Sequence, residues 1–261
     1  MNQAFLDCGK KKGRKIRIFL DPLFPVFTIE GVETDLAWLP YDDSIPGESD
    51  VFVWKTYLKE RSDLDACLSI LNAEEKEIAF RLENKNDQEN YIRLHACVRS
   101  LLGHITGIKK DELVLLRSGN GKPFLSINEQ PSPLRFSVSR SQDIALVSVS
   151  HCAETGVDIE LVRSFDEVLD LASQYFRREQ FEYLSALPLK ERVDAFFVFW
   201  TRFEAGLKAV GAGLQDVSVL PGPESEKWRV VDLQPEPGYR GALVCEQGKR
   251  ISLFDLRKHV F

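Results

Sequence analysis

The sequence predicts an α+β fold (α/β in its alternation) made of two pseudo-duplicated halves, each a small sheet packed with a long helix. Three observations predict it. Two long apolar-striped stretches, Asp87 to Thr106 and Ala195 to Leu214, read as helices that run into glycine and then into strand-like segments. Shorter helical segments precede both. The stretch LLGHITGIKKDELVLL, starting at Leu101, is echoed weakly by LKAVGAGLQDVSVL, starting at Leu207. The boundaries that follow are an N-terminal extension over 1–49, a first half over 50–152 and a second half over 153–261, joined near Ser150 to Thr155.

The totals agree with a globular protein. A chain of 261 residues with 44% hydrophobic and 28% charged residues can bury a substantial core. A net charge of −6 without long acidic runs argues against general nucleic-acid binding. No apolar run approaches the roughly 20 residues of a membrane span, and MNQAFLDCGKKKGRK lacks the apolar centre of a signal peptide. Five scattered cysteines with no CxxC pair, and four scattered histidines, make a zinc site a poor fit and a reducing cytoplasm the expected compartment. Cys97 sits inside an apolar helical stripe and reads as core.

In chain order, Lys10 to Arg17 is a basic cluster followed by a proline-punctuated segment. Asp50 to Leu58 alternates as a strand. Leu64 to Leu71 and Ala73 to Leu82 read as helices, the second capped by Asn72 with Glu74 and Glu75 in its first turn. Leu113 to Leu116 is a short strand, and Ser118 to Pro123 is a turn. Phe136 to Ser139 and Ile144 to Val149 form a hairpin, and Val157 to Val162 is another strand. A helix beginning at Ser164 or Phe165 leads into Arg178 to Leu184. After the second long helix, strands are expected at Val217 to Val219, Trp228 to Leu233, Gly241 to Cys245 and Ile251 to Leu256.

The chemistry concentrates in two segments. In a strand, Asp158 and Glu160 share one face while Val157, Ile159 and Leu161 share the other. Two adjacent carboxylates repel, and a hard cation such as magnesium relieves the repulsion; a solvated strand edge accounts for the same pattern. Glu204 and Lys208 lie four apart on a helix that is otherwise apolar, on the stripe of Trp200. They form either an internal ion pair or, with Asp158 and Glu160, a magnesium-and-lysine grip for a pyrophosphate.

Five short segments occur in a telling order: Gly121-Lys122-Pro123, Phe136-Ser-Val-Ser139, Gly156-Val-Asp-Ile-Glu160, Phe176-Arg-Arg-Glu179, and Trp200-Thr-x-x-Glu204-Ala-x-x-Lys208. From Trp54 to Leu256 the chain therefore resembles the surfactin-synthetase-type (Sfp-type) 4′-phosphopantetheinyl transferases, as a divergent member. The resemblance implies two similar halves with the active site at their interface. It implies transfer of the 4′-phosphopantetheine group from coenzyme A to a serine of an acyl or peptidyl carrier protein, with release of 3′,5′-ADP, in polyketide, nonribosomal peptide or fatty acid biosynthesis. It implies Mg2+ held by Asp158, Glu160 and Glu204, and catalysis by Glu204 and Lys208. Coenzyme A would be held by Arg99, Lys122, Pro123, Ser139, Arg140 and Lys208. A monomer is expected, and Arg177, Arg178, Lys190 and Arg192 are candidates to receive an acidic carrier.

Three departures stand out. The family pattern F-N-x-S-H is here Phe136-Ser-Val-Ser-Arg140, so an arginine replaces the histidine expected at the 3′-phosphate. The lysine expected before the catalytic glutamate is Phe203, and Glu75 and Ile78 stand where some relatives carry phosphate-facing lysines. These departures leave an alternative, a homologue with weak or no transferase activity that binds carrier proteins as an accessory protein.

Overall fold

The strand expected from Asp50 forms as β2 (Asp50–Tyr57). Its alternation sets the architecture: Phe52 and Trp54 enter one core cluster, Val51 and Val53 another. A strand buried on both faces needs a layer on each side. The computed structural model, which describes residues 36–60, 63–213 and 227–257, supplies a helix on one side and a second sheet on the other.

Ahead of β2 lies β1 (Trp38–Pro40), and after a short turn come α1 (Leu64–Ile70), α2 (Ala73–Phe80) and α3 (Lys85–Thr106). Then follow β3 (Val114–Arg117), β4 (Pro123–Ile127), β5 (Gln130–Pro131), β6 (Leu134–Ser141), β7 (Ile144–His151) and β8 (Thr155–Leu161). The remaining elements are α4 (Val168–Tyr175), α5 (Arg178–Ala186), α6 (Leu189–Val210), β9 (Trp228–Leu233), β10 (Tyr239–Glu246) and β11 (Arg250–Asp255). The strands form a five-stranded sheet in the order β1-β11-β2-β7-β6, a three-stranded sheet β8-β10-β9 and a small sheet β3-β4-β5.

Leu94, Val98 and Leu101 of α3 cover the outer face of the five-stranded sheet through Trp54, Phe136 and Val147. Phe196, Phe199 and Phe203 of α6 gather with Trp228, Ala242 and Val244 of the β8-β10-β9 sheet. The two sheets face each other through Val53 and Leu146 on one side and Val157, Ile159 and Leu243 on the other. Each half is thus a sheet with one long helix outside it, and both long helices have 22 residues and end at a left-handed glycine, Gly107 at φ 72° and Gly211 at φ 70°.

Local signals explain the element ends. Asn72 and Glu75 form the reciprocal capping box that opens α2. Helix α6 begins at Leu189, six residues before the apolar run, because Pro188 at the N-cap fixes a φ of −57° that feeds directly into it. It stops at Val210 rather than Leu214, because Gly211 turns left-handed.

The halves are not separate in space. Strand β11 pairs in parallel with β2 and β1, so a segment from the second half completes the first half's sheet, and β1 extends that sheet from within the 1–49 stretch. Lys55, buried in β2, pairs with Glu236 at 3.0 Å in the β9–β10 connection and with Asp255 at 3.2 Å. The basic cluster Lys10 to Arg17 and the strand expected at Val217 to Val219 lie outside the described residues.

Candidate functional site

The site grows from one close contact. A Cβ on Gly156 would collide with the backbone of α6 at Ala205 and Ala209, lying 2.9 Å from Ala209 Cα. The absent side chain at 156 and the small ones at 205 and 209 let β8 press against the helix backbone. That approach puts the Asp158 face of β8 against the Glu204–Lys208 stripe of α6.

Lys208 Nζ donates to Asp158 Oδ1 at 2.6 Å and to Ser139 Oγ at 2.9 Å, and Ser139 Oγ donates to the same Oδ1 at 2.7 Å. Asp158 is 1% exposed, and its Oδ2 is buried without a hydrogen-bond partner. Glu160 accepts from Ser141 Oγ at 3.1 Å. Burial, with the Asp158 charge behind it, pushes the Glu160 carboxyl up to about 8 and the Glu204 carboxyl up to about 7. Burial opposes the Lys208 ammonium, yet the charges of Asp158 and Glu204 raise its pKa above the usual value. Asp158, Glu160, Glu204, Lys208 and Ser139 therefore form one charged group at the junction of β6, β8 and α6, with Asp158 and Ser139 buried and the other three half-buried. Among the described residues, no three His, Cys, Asp or Glu side chains form a ready-made cage for a metal ion.

The other expected coenzyme-binding residues are elsewhere or engaged. Lys122 Nζ donates to Glu154 Oε2 at 2.6 Å and to the Ala209 carbonyl at 2.8 Å, so it ties the turn before β4 to the last turn of α6. Burial lowers its pKa, against the pull of Glu154. Pro123 follows it as the first residue of β4. Arg140 donates to Asp87 Oδ1 at 3.2 Å and to the Gln142 carbonyl at 2.9 Å, joining the β6–β7 turn to the first turn of α3.

Arg99, expected near coenzyme A, lies in the interior of the protein. It is 0% exposed, bonds Glu75 Oε2 at 2.7 Å, and donates to the carbonyls of Lys110 and Leu113, each at 3.0 Å. Burial works against the Glu75 carboxylate, but hydrogen bonds from His95 and Arg99 hold its pKa below the usual range. Arg99 thus fastens α3 to α2 and to the loop before β3. Glu75, where a phosphate-facing lysine was a family alternative, is its internal counterion.

Phe203 is resolved in the same way. It is 0% exposed and packs with Tyr175, Phe176 and Trp200 inside the second half's core. The position beside Glu204 therefore points into the core here, and a phenylalanine fills it. Of the basic residues considered for a carrier, Arg178 pairs with Glu182, and Arg192 donates to the carbonyls of Leu184, Ser185 and Leu187 at the end of α5. Sequence reasoning passed over Glu154, the partner of Lys122, and Ser141. The strict alternation of serine along Phe136-Ser-Val-Ser-Arg-Ser141 is the signal that marks the latter.

Comparison with known proteins adds to this geometry. The family model described as 4′-phosphopantetheinyl transferase superfamily matches residues 154–252, and that described as 4′-phosphopantetheinyl transferase, N-terminal, matches residues 54–152. The chain belongs to the 4′-phosphopantetheinyl transferase family. Its relatives in that family are distant. It is 28% identical to the 4′-phosphopantetheinyl transferase HetI of Nostoc sp. over 212 residues, covering 77% of this chain and 90% of the relative. A putative 4′-phosphopantetheinyl transferase of Synechocystis sp. is 29% identical over 146 residues, 56% of this chain and 59% of the relative. The 4′-phosphopantetheinyl transferase gsp of Aneurinibacillus migulanus is 26% identical over 143 residues, 54% of this chain and 57% of the relative. As a transferase of this family, the chain carries both of its model segments, and they meet between residues 152 and 154. No helix among the described residues is long and apolar enough to cross a membrane.

Proposed function

We propose that this chain transfers the 4′-phosphopantetheine group of coenzyme A to a serine hydroxyl of an acyl or peptidyl carrier protein. The observation that carries the reading is the cluster of Asp158, Glu160, Glu204 and Lys208 where β8 meets α6, with Asp158 buried and the other three half-buried. The serine oxygen forms a bond to the phosphorus nearer the pantetheine. The bond from that phosphorus to the bridging pyrophosphate oxygen breaks, and 3′,5′-ADP leaves. Glu204 accepts the serine proton, directly or through water, and an acid with a pKa of about 7 suits that task near neutral pH. Lys208 neutralises charge on the transferring phosphate. Ser139, Lys122, Pro123 and Arg140 line the path of the nucleotide, with the two cations exchanging Glu154 and Asp87 for phosphate oxygens. Arg99, which bonds Glu75 and the carbonyls of Lys110 and Leu113, would support this set from behind by holding α2 and the loop before β3.

The donor set suits Mg2+. It offers the carboxylates of Asp158, Glu160 and Glu204, with Asp158 Oδ2 unpartnered and the ionisation of the two glutamates opposed by burial and by the Asp158 charge. When bound, Mg2+ supplies charge neutralisation and orientation of the pyrophosphate. Among the described residues Cys67, Cys97, Cys152 and Cys245 form no disulfide, which fits the reducing cytoplasm as the place of work, and the reading takes the protein as a monomer.

The metal assignment has a consequence for stability. The folded-state pKa values of Glu160 and Glu204 lie above the usual 4.5. Their contribution is therefore fully present below pH 4.5 and is lost as pH rises through about 7 and about 8. In the presence of a chelator, the thermal midpoint should fall between pH 6 and pH 8.5. Added Mg2+ should raise it by ~3 °C or more at pH 8.5 and by less at pH 6. A Mg2+ shift that is equal at both pH values would remove these carboxylates as its ligands.

The transfer itself is tested by intact-mass measurement of apo carrier proteins incubated with this chain, coenzyme A and Mg2+. The expected result is a mass gain of one phosphopantetheine that requires the carrier's serine. Association without a mass gain across several acyl and peptidyl carriers would instead identify an accessory binding protein.

A further inference from the structure

Strands β6 and β8 are edges of different sheets, and among the described residues no backbone ladder joins them. A row of serines does. Ser137, Ser139 and Ser141 alternate along β6 on the face opposite Phe136, and all three are buried. Ser137 Oγ accepts the Val157 N–H at 3.2 Å, and Ser141 Oγ accepts the Leu161 N–H at 3.0 Å. Two backbone donors of β8 thus end on serine oxygens of the other half. The same row reaches the carboxylates, because Ser139 donates to Asp158 and Ser141 donates to Glu160.

The geometry points to Ser141 as a positioning residue for the divalent-cation site, an inference that rests on the transferase reading above. Its hydroxyl is held at both ends. Because the oxygen accepts the Leu161 N–H, its own proton is directed at Glu160 Oε2. A carboxylate aimed by such a bond has less rotamer freedom to lose when it meets a cation. The strand that carries Glu160 is pinned by the same atom, so β8 and its ligand move together. Ser141 touches neither substrate nor phosphate in this scheme, and acts only through Glu160. Ser139 differs from it because Lys208 also donates to that hydroxyl, which belongs to the charged cluster itself.

The test measures binding of Mn2+ alone to the full chain by electron paramagnetic resonance at pH 8, without coenzyme A. Ser141→Ala is expected to weaken Mn2+ binding about 10-fold, the usual cost of removing a bond that orients a metal ligand. Its thermal midpoint should fall by no more than ~8 °C, the effect of losing the two hydrogen bonds of that hydroxyl in a chain of this size. Ser141→Thr keeps the hydroxyl on a residue that strands favour, and should restore the affinity. Wild-type Mn2+ affinity in Ser141→Ala would overturn the inference, as would a loss that Ser141→Thr does not repair. Failure of the wild-type chain to modify any carrier would overturn the transferase reading instead, and the Mn2+ comparison would still decide the role of Ser141.

Discussion

Glu204→Gln is expected to abolish phosphopantetheine transfer, lowering the rate at least ~1000-fold. Loss of a general base alone costs about 100- to 10,000-fold, and this substitution also removes one of three carboxylates assigned to the cation. The fold should survive it. Glu204 is a buried acid whose ionised form is disfavoured, first by burial and then by Asp158. A neutral amide of the same shape relieves that cost, and Lys208 keeps its 2.6 Å bond to Asp158. At pH 8 the thermal midpoint of Glu204→Gln should therefore equal or exceed that of the wild type. Intact-mass kinetics and a thermal melt on the same sample check both halves of the prediction. A variant that modifies a carrier at the wild-type rate would remove Glu204 from the chemistry. One that melts early would show that the residue is needed for the fold.

The largest stability effect is expected at Gly156. Its missing side chain is what allows β8 to touch the backbone of α6, and a Cβ there would meet peptide atoms at Ala205 and Ala209. Backbone cannot swing aside as a flexible side chain can, so the strand or the helix must move. Gly156→Ala should cost more than ~3 kcal/mol, at the upper end of overpacking. It should shift the urea midpoint down by at least ~1 M. Transfer should fall further than the loss of folded protein explains, because β8 carries two of the three carboxylates. An unchanged urea midpoint would mean that the close approach does not exist in solution.

The legible parts of this protein are those where spacing alone fixes geometry. Asp158 and Glu160 two apart on a strand share a face, and Glu204 and Lys208 four apart on a helix share a stripe. That the two faces meet is written locally as well, in Gly156, Ala205 and Ala209, whose small size is the condition for contact. What spacing does not encode is which partner a charge chooses. Arg99 has the same sequence surroundings whether it faces a phosphate or Glu75, and its burial depends on how α2 lies on α3. Phe203 is similar: a helix position next to a catalytic residue can face the site or the core, and only the packing of Tyr175 and Phe176 decides. The parallel pairing of β11 with β2 joins residues 200 apart, Arg250 with Asp50, and no local pattern announces it.

That pairing bears on how the protein comes into being. When residues 50–152 have left the ribosome, β2 has β7 on one side and nothing on the other, because its second neighbour is β11. The first half therefore waits, with one strand edge bare, until residues 250–255 are made. Its sheet is completed only by the whole chain, because the strand that fills that edge is the last one described.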